Sequence, residues 1–136
     1  MILTQVLKRG AMFYPDNLAT VDGAHRQTYR EMRTRVNALA GALQQRGIKP
    51  GDRVAILMLN GHEFAEAIFA CWDIGAVVVP LNYRLAGEEL IFIINDAECT
   101  AMITDDVMLP LTVAMRPRLQ GIQHYIATAP AEGFEV

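Results

Sequence analysis

Apolar positions along the chain alternate between a helical and an extended rhythm. Leu3, Val6, Leu7 and Ala11 share one side of a helical wheel, which predicts a short helix over residues 3–14 that Pro15 ends. Loose alternation over residues 18–22, a turn at Gly23 and a return over 26–28 predict a β-hairpin. Met32, Val36, Leu39, Ala40 and Leu43 then fall on one helical face. Thr28 and Glu31 stand at the start of that helix as a capping box, each side chain able to satisfy the other's backbone N–H. Gly47 closes it, where a left-handed residue without a side chain is favoured.

The rhythm changes after the turn Lys49-Pro50-Gly51-Asp52. Residues 54–59 are almost continuously apolar, which predicts a strand covered on both faces. Phe64, Ala65, Ile68, Phe69 and Trp72 set a helix over 62–73, stopped by Gly75. Residues 76–79 form a second buried strand closed by Pro80, and residues 81–85 a loop. A helix over 87–95 packs Leu90, Ile93 and Ile94, and a third strand covers 100–104. Asp105 or Asp106 caps a further helix, with Pro110 in or near its first turn and Pro117 at its limit. A fourth strand covers 123–127, and residues 128–136 are expected to form a loose tail.

Strands recurring about every 24 residues with helices between them predict βαβ units. The fold class expected is therefore α/β, a doubly wound, mostly parallel sheet flanked by helices, in one domain spanning residues 1–136. A chain of 136 residues with 52% apolar and 20% charged residues is long and apolar enough to bury a core. A net charge of −3 shows no basic surface of the size nucleic acid requires. The cluster Arg26, Arg30, Arg33 and Arg35 spreads around a helix and reads as a solvated face. Cys71 and Cys99 stand apart in apolar segments and are expected as free buried thiols of a reducing cytosol. No signal peptide and no transmembrane run are expected.

Motifs that would name a reaction are missing. There is no G-x-G-x-x-G, no G-x-x-x-x-G-K-[ST] and no G-x-S-x-G. His25, His62 and His124 do not combine with Cys71 or Cys99 at zinc-ligand spacing. His62-Glu63 begins an H-E-x-x-H pattern, but Glu66 stands where the second histidine belongs. Glu63 and Glu66 share a helix and invite comparison with paired acid–base carboxylates, though the wet side of an amphipathic helix is the expected place for them. Phe69 and Trp72 are expected in the core rather than on a ligand wall.

Three stretches, in order, resemble the start of the adenylate-forming superfamily, which includes acyl-CoA synthetases. They are Gln27-Thr28-Tyr29-Arg30-Glu31-Met32; Arg46-Gly47-Ile48-Lys49-Pro50-Gly51-Asp52-Arg53-Val54-Ala55-Ile56; and Trp72-Asp73-Ile74-Gly75-Ala76-Val77-Val78-Val79-Pro80-Leu81-Asn82-Tyr83-Arg84-Leu85. The last is similar to the "GA-x-x-x-P-(l/i)-N-x-R-L" stretch of fatty-acyl and aryl CoA ligases. The resemblance implies the N-terminal subdomain of the adenylate-forming ligase fold, part of an enzyme that uses ATP, Mg²⁺ and CoA. It implies no catalytic residue and no metal ligand in these 136 residues, and no cofactor that this chain binds by itself. The family's Ser/Thr/Gly-rich, Lys-ending phosphate loop, its Y-G-x-T-E motif and its C-terminal catalytic lysine have no counterpart here, so the chain is expected to be inactive alone.

By the same resemblance, Arg84 is the one site residue expected, as a contact for a phosphate of CoA. A guanidinium suits a phosphate by charge and by its bidentate fork. The competing reading is a surface ion pair with Glu88 or Glu89. The partner expected is the remainder of a ligase, or a second copy meeting exposed apolar surface. A non-catalytic binding or dimerisation module is the alternative function, and a flavodoxin-like phosphate binder a third.

Overall fold

The computed structural model describes residues 3–136. Its elements, in chain order, are α1 (Thr4–Phe13), the hairpin β1 (Leu18–Asp22) and β2 (His25–Thr28), and α2 (Tyr29–Gln45). There follow β3 (Arg53–Leu57), α3 (His62–Asp73), β4 (Val77–Pro80) and α4 (Gly87–Asp96). The chain closes with β5 (Ala101–Thr104), α5 (Leu109–Met115) and β6 (His124–Ala127).

The capping box forms as the sequence suggests. Glu31 N–H donates to Thr28 Oγ1 at 3.2 Å, and Thr28 N–H donates to Glu31 Oε2 at 2.8 Å. β3 is shorter than its apolar run, because Met58 and Leu59 leave the sheet where the Leu59 N–H turns to a side-chain carboxylate. Pro80 is the last residue of β4 rather than its terminator. β4 lies at the edge of its sheet, where a residue without an N–H is tolerated.

Four strands form a wholly parallel sheet in the order β4-β3-β5-β6, with Ile56 opposite both Pro80 and Ile103. The path from β3 to β4 runs one way across this sheet, and β4 to β5 to β6 runs the other. A uniform crossover hand then requires α3 on one face and α4 and α5 on the opposite face. The packing places them so. Val54, Ile56 and Ile103 pack with α2 and α3, while Ala55, Leu57 and Met102 pack with α4 and α5. Adjacent residues of one strand therefore serve two cores, which is why β3 reads as an uninterrupted apolar run. The chain has the doubly wound α/β fold. Fully buried side chains such as Ile56 and Leu57 each contribute about 1.5–3 kcal/mol by leaving water.

Residues after β6 lie against it. Ala127 N–H donates to the Glu135 carbonyl and Glu135 N–H to the Tyr125 carbonyl, each at 2.8 Å. The Arg116 guanidinium stands 4.6 Å from the Tyr125 ring centre and 5.6 Å from that of Phe134. Glu135 also pairs with Arg46 at the end of α2.

Candidate functional site

An open parallel sheet offers a ligand the crevice at the carboxyl ends of two neighbouring strands whose following helices go to opposite faces. Here those strands are β3, followed by α3, and β5, followed by α5. The crevice is bounded by the turn from Met58 to His62 and by the turn that begins at Asp105.

Two carboxylates of the protein itself already take up backbone donors there. Asp105 is 6% exposed. Its Oδ2 accepts from Leu59 N–H at 2.7 Å and its Oδ1 from Met108 N–H at 2.8 Å, so one side chain fastens the β3–α3 turn to the start of α5. At the N-terminus of α3, Gly61 has no side chain to cap the helix, and Asp22 of β1 supplies the acceptor instead. Asp22 Oδ2 receives His62 N–H at 3.1 Å and lies 2.9 Å from His62 Nδ1. A Cβ at Gly61 would stand 2.9 Å from that same oxygen, so only glycine admits the hairpin so closely. His62 holds the Asp22 carboxyl below the ordinary carboxylate range, through the side-chain bond first and the backbone bond second. The His25 ring stacks on His62, with centres 3.9 Å apart.

This arrangement repels a phosphate. The helix terminus that would receive one faces a carboxylate, and the turn holds a single glycine rather than a loop of free N–H groups.

Beside the crevice, between α2 and α3, is a cleft of about 460 Å³ whose walls include Leu39, Met58, Ile103 and Ile126. Its rim carries Arg35, Glu63 and Glu66. Glu66 does not line the wet side of α3. It is 4% exposed, and its Oε1 accepts from Gln27 Nε2 at 2.8 Å and from Arg35 Nε at 2.7 Å. That bond, more than any other influence, raises the Arg35 pKa above its usual value. Gln27 Oε1 in turn accepts from the Thr20 hydroxyl at 3.0 Å, which joins the hairpin to both helices. Nor is the arginine cluster simply solvated. Arg33 donates to the Asp73 carboxylate, whose side chain is 9% exposed, at 2.6 Å. Glu66 shares the buried face of α3 with Ala70, and its buried partners come from segments far away in sequence.

Arg84 lies in the loop after β4 and is exposed. Asn82 shapes this loop: its Oδ1 accepts from Arg84 N–H at 3.0 Å, and its carbonyl from Leu85 N–H at 3.1 Å. The guanidinium stands 5.6 Å from the Tyr83 ring centre. Glu88 pairs with Arg118, and Glu89 Oε2 accepts the Ala86 N–H, so both acidic neighbours have partners other than Arg84.

The remaining candidates are dispersed. Cys71 and Cys99 are buried free thiols. Burial pushes them up to about 12 and about 11 respectively, far from the reactive thiolate range. Phe69 and Trp72 meet edge to face at 5.4 Å. His124 lies beside Glu135, away from the other two histidines.

Comparison with known proteins adds a family. The family model described as "AMP-binding enzyme" matches residues 7–132. A long-chain-fatty-acid–CoA ligase of Thermus thermophilus is 40% identical over 102 residues, which cover 75% of this chain and 19% of that protein. A feruloyl-CoA synthase of an Amycolatopsis species is 41% identical over 95 residues, 70% of this chain and 19% of the relative. The chain thus spans about a fifth of the length of the curated relatives it matches. Among solved structures, a fatty acyl CoA synthetase of Mycobacterium tuberculosis superposes with a TM-score of 0.86 at 32% identity, over 92% of this chain and 26% of that one.

Proposed function

The chain belongs to the AMP-binding enzyme family, and from that premise we propose that it serves as the N-terminal part of an acid–CoA ligase, inactive by itself. In the complete enzyme a carboxylate oxygen attacks the α-phosphorus of ATP and pyrophosphate leaves. The thiol sulfur of CoA then attacks the acyl-adenylate carbonyl, and AMP leaves as the thioester forms.

The observation that carries the inactive-alone reading is that carboxylates of the chain already hold backbone donors at the crevice. With Asp22 and Asp105 on the donors at its rim, these residues offer an ATP triphosphate no cradle, and no step of the reaction runs through them. Their work is architectural: a stiff sheet with two packed faces that holds its carboxyl-end loops in place for the rest of a ligase. The fit to CoA is better. An exposed arginine whose acidic neighbours are engaged elsewhere suits a phosphate of that cofactor, and Arg84 is the residue proposed to hold it.

A chimera tests both parts. This chain replaces the matching N-terminal stretch of the Thermus thermophilus ligase, and thioester formation is followed. An active chimera whose KM for CoA rises about tenfold with Arg84→Ala, while KM for ATP stays level, bears out the proposal. A folded chimera without thioester formation refutes the ligase role, and an unchanged KM for CoA refutes the part given to Arg84.

A second reading, self-association, draws on the free edge of β4, where Val77 is 48% exposed. A monomer at every concentration on a sizing column would count against it.

A further inference from the structure

The loop that carries Arg84 is short and fastened at both ends. Leu81 N–H donates to the Ile56 carbonyl at 2.9 Å, which ties the end of β4 to β3. Ala86 N–H donates to Glu89 Oε2 at 2.8 Å where α4 begins. Between these points the side chains alternate. Leu81 is buried, with Tyr83 and Leu85 packed against the same core, while Asn82 and Arg84 are exposed.

Within the loop, Asn82 holds the backbone on both sides of the Arg84 Cα. Its Oδ1 accepts the Arg84 N–H at 3.0 Å, and its carbonyl accepts the Leu85 N–H at 3.1 Å. Those two amides flank the Arg84 Cα, so they fix where its side chain leaves the loop. Asparagine and aspartate are residues whose side-chain oxygen reaches the N–H two positions on. Asn82 is itself exposed, so core packing does not explain the residue type.

Charge separates the two. An aspartate would make the same bond, but it would also place a carboxylate two residues from Arg84. That charge would compete for the guanidinium and repel an incoming phosphate. The acids that follow in the chain are already taken up, Glu88 by Arg118 and Glu89 by the Ala86 N–H. An amide therefore gives this loop an acceptor without a charge, as a site for an anion needs.

We propose that Asn82 is a positioning residue for the CoA site: it orients Arg84 through the backbone and adds no negative charge beside it. The inference rests on the reading of Arg84 as the contact for a phosphate of CoA, and it adds the residue that presents that contact.

Two measurements test it. In the 136-residue chain, amide exchange of Arg84 followed by NMR should quicken about three- to tenfold in Asn82→Ala, the equivalent of one lost hydrogen bond, and stay near the parent in Asn82→Asp. Circular dichroism should show both variants folded, since Asn82 is exposed. In the ligase chimera, Asn82→Ala should raise KM for CoA about threefold and leave KM for ATP level. In the Arg84→Ala background it should add nothing further, whereas a general loosening of the fold would add its own effect. Asn82→Asp should raise KM for CoA as well, by a ratio to the parent that falls toward one as salt is added. Unchanged Arg84 exchange in Asn82→Ala overturns the proposal, as does an effect on CoA that persists in full without Arg84. If Arg84→Ala raises KM for CoA and Asn82→Ala does not, this inference fails and the reading of Arg84 stands. If Arg84→Ala leaves KM for CoA unchanged, both fail.

Discussion

Replacing Glu66 with alanine should cost the fold about 2 kcal/mol. Three contributions can be separated. Gln27 is 2% exposed, and its Nε2 donates to Glu66, so the substitution leaves a donor that water cannot reach. Such an orphaned group costs about 1–3 kcal/mol. Arg35 loses the same acceptor, but its side chain is 54% exposed and rehydrates, so its share is small. The missing Cγ methylene and carboxyl group also leave space between α2 and α3, which closes only in part. Glu66→Gln separates hydrogen bonding from charge. Both bonds are made to Oε1, which an amide carbonyl can replace, so this variant should lose less than about 1 kcal/mol. Urea unfolding with linear extrapolation measures both, and the alanine variant should also melt about 6–10 °C lower. The reasoning is refuted if Glu66→Ala stays within about 0.5 kcal/mol of the parent, or if glutamine proves worse than alanine.

Two further outcomes follow from the titrating groups. The Asp22 carboxyl, held below its ordinary value of 3.8, stabilises the fold above that value, and its contribution fades as pH falls through the lower folded one. Asp22→Asn should therefore melt below the parent at about pH 6, with the gap closing toward about pH 3; a gap independent of pH would contradict the assignment to charge. Cys71 and Cys99 should react with a disulfide reagent at about pH 8 only as the chain unfolds, so the rate should follow denaturant concentration. Rapid labelling of the native chain would show a thiol more open than the fold allows.

Much of the architecture was legible in the sequence because its causes are local. The helix over 62–73 has its apolar period and a stop at Gly75, and α3 runs over those residues. The capping box at Thr28 and Glu31 needs only neighbouring groups, and it forms. The uninterrupted run after Arg53 told correctly of two covered faces. What the sequence concealed depends on distant partners. Glu66 looked like a solvated residue because Gln27 and Arg35, which satisfy it, lie on another strand and another helix. Neither Asp105 nor Asp106 is the N-cap of α5: that position is Met108, without a side-chain cap, and Asp105 accepts the Met108 N–H just ahead of the helix, while its bond to Leu59 follows from the strand order, which no local pattern gives. Asp22 capping α3 across the hairpin belongs to the same class. The contacts of Phe134 and Glu135 with β6 were hidden because an Ala-, Pro- and Gly-containing stretch has no period of its own.

The central claim is that this chain is a scaffold part with no adenylation site of its own. ATP–pyrophosphate exchange tests it most directly, with the purified chain and a panel of short, long and aromatic carboxylic acids. The account predicts no exchange above background with any acid, because the crevice at the carboxyl ends of β3 and β5 is held by Asp22 and Asp105. Exchange that survives repurification, and that depends on the acid supplied, would contradict it and would mean that these residues bind and activate ATP after all.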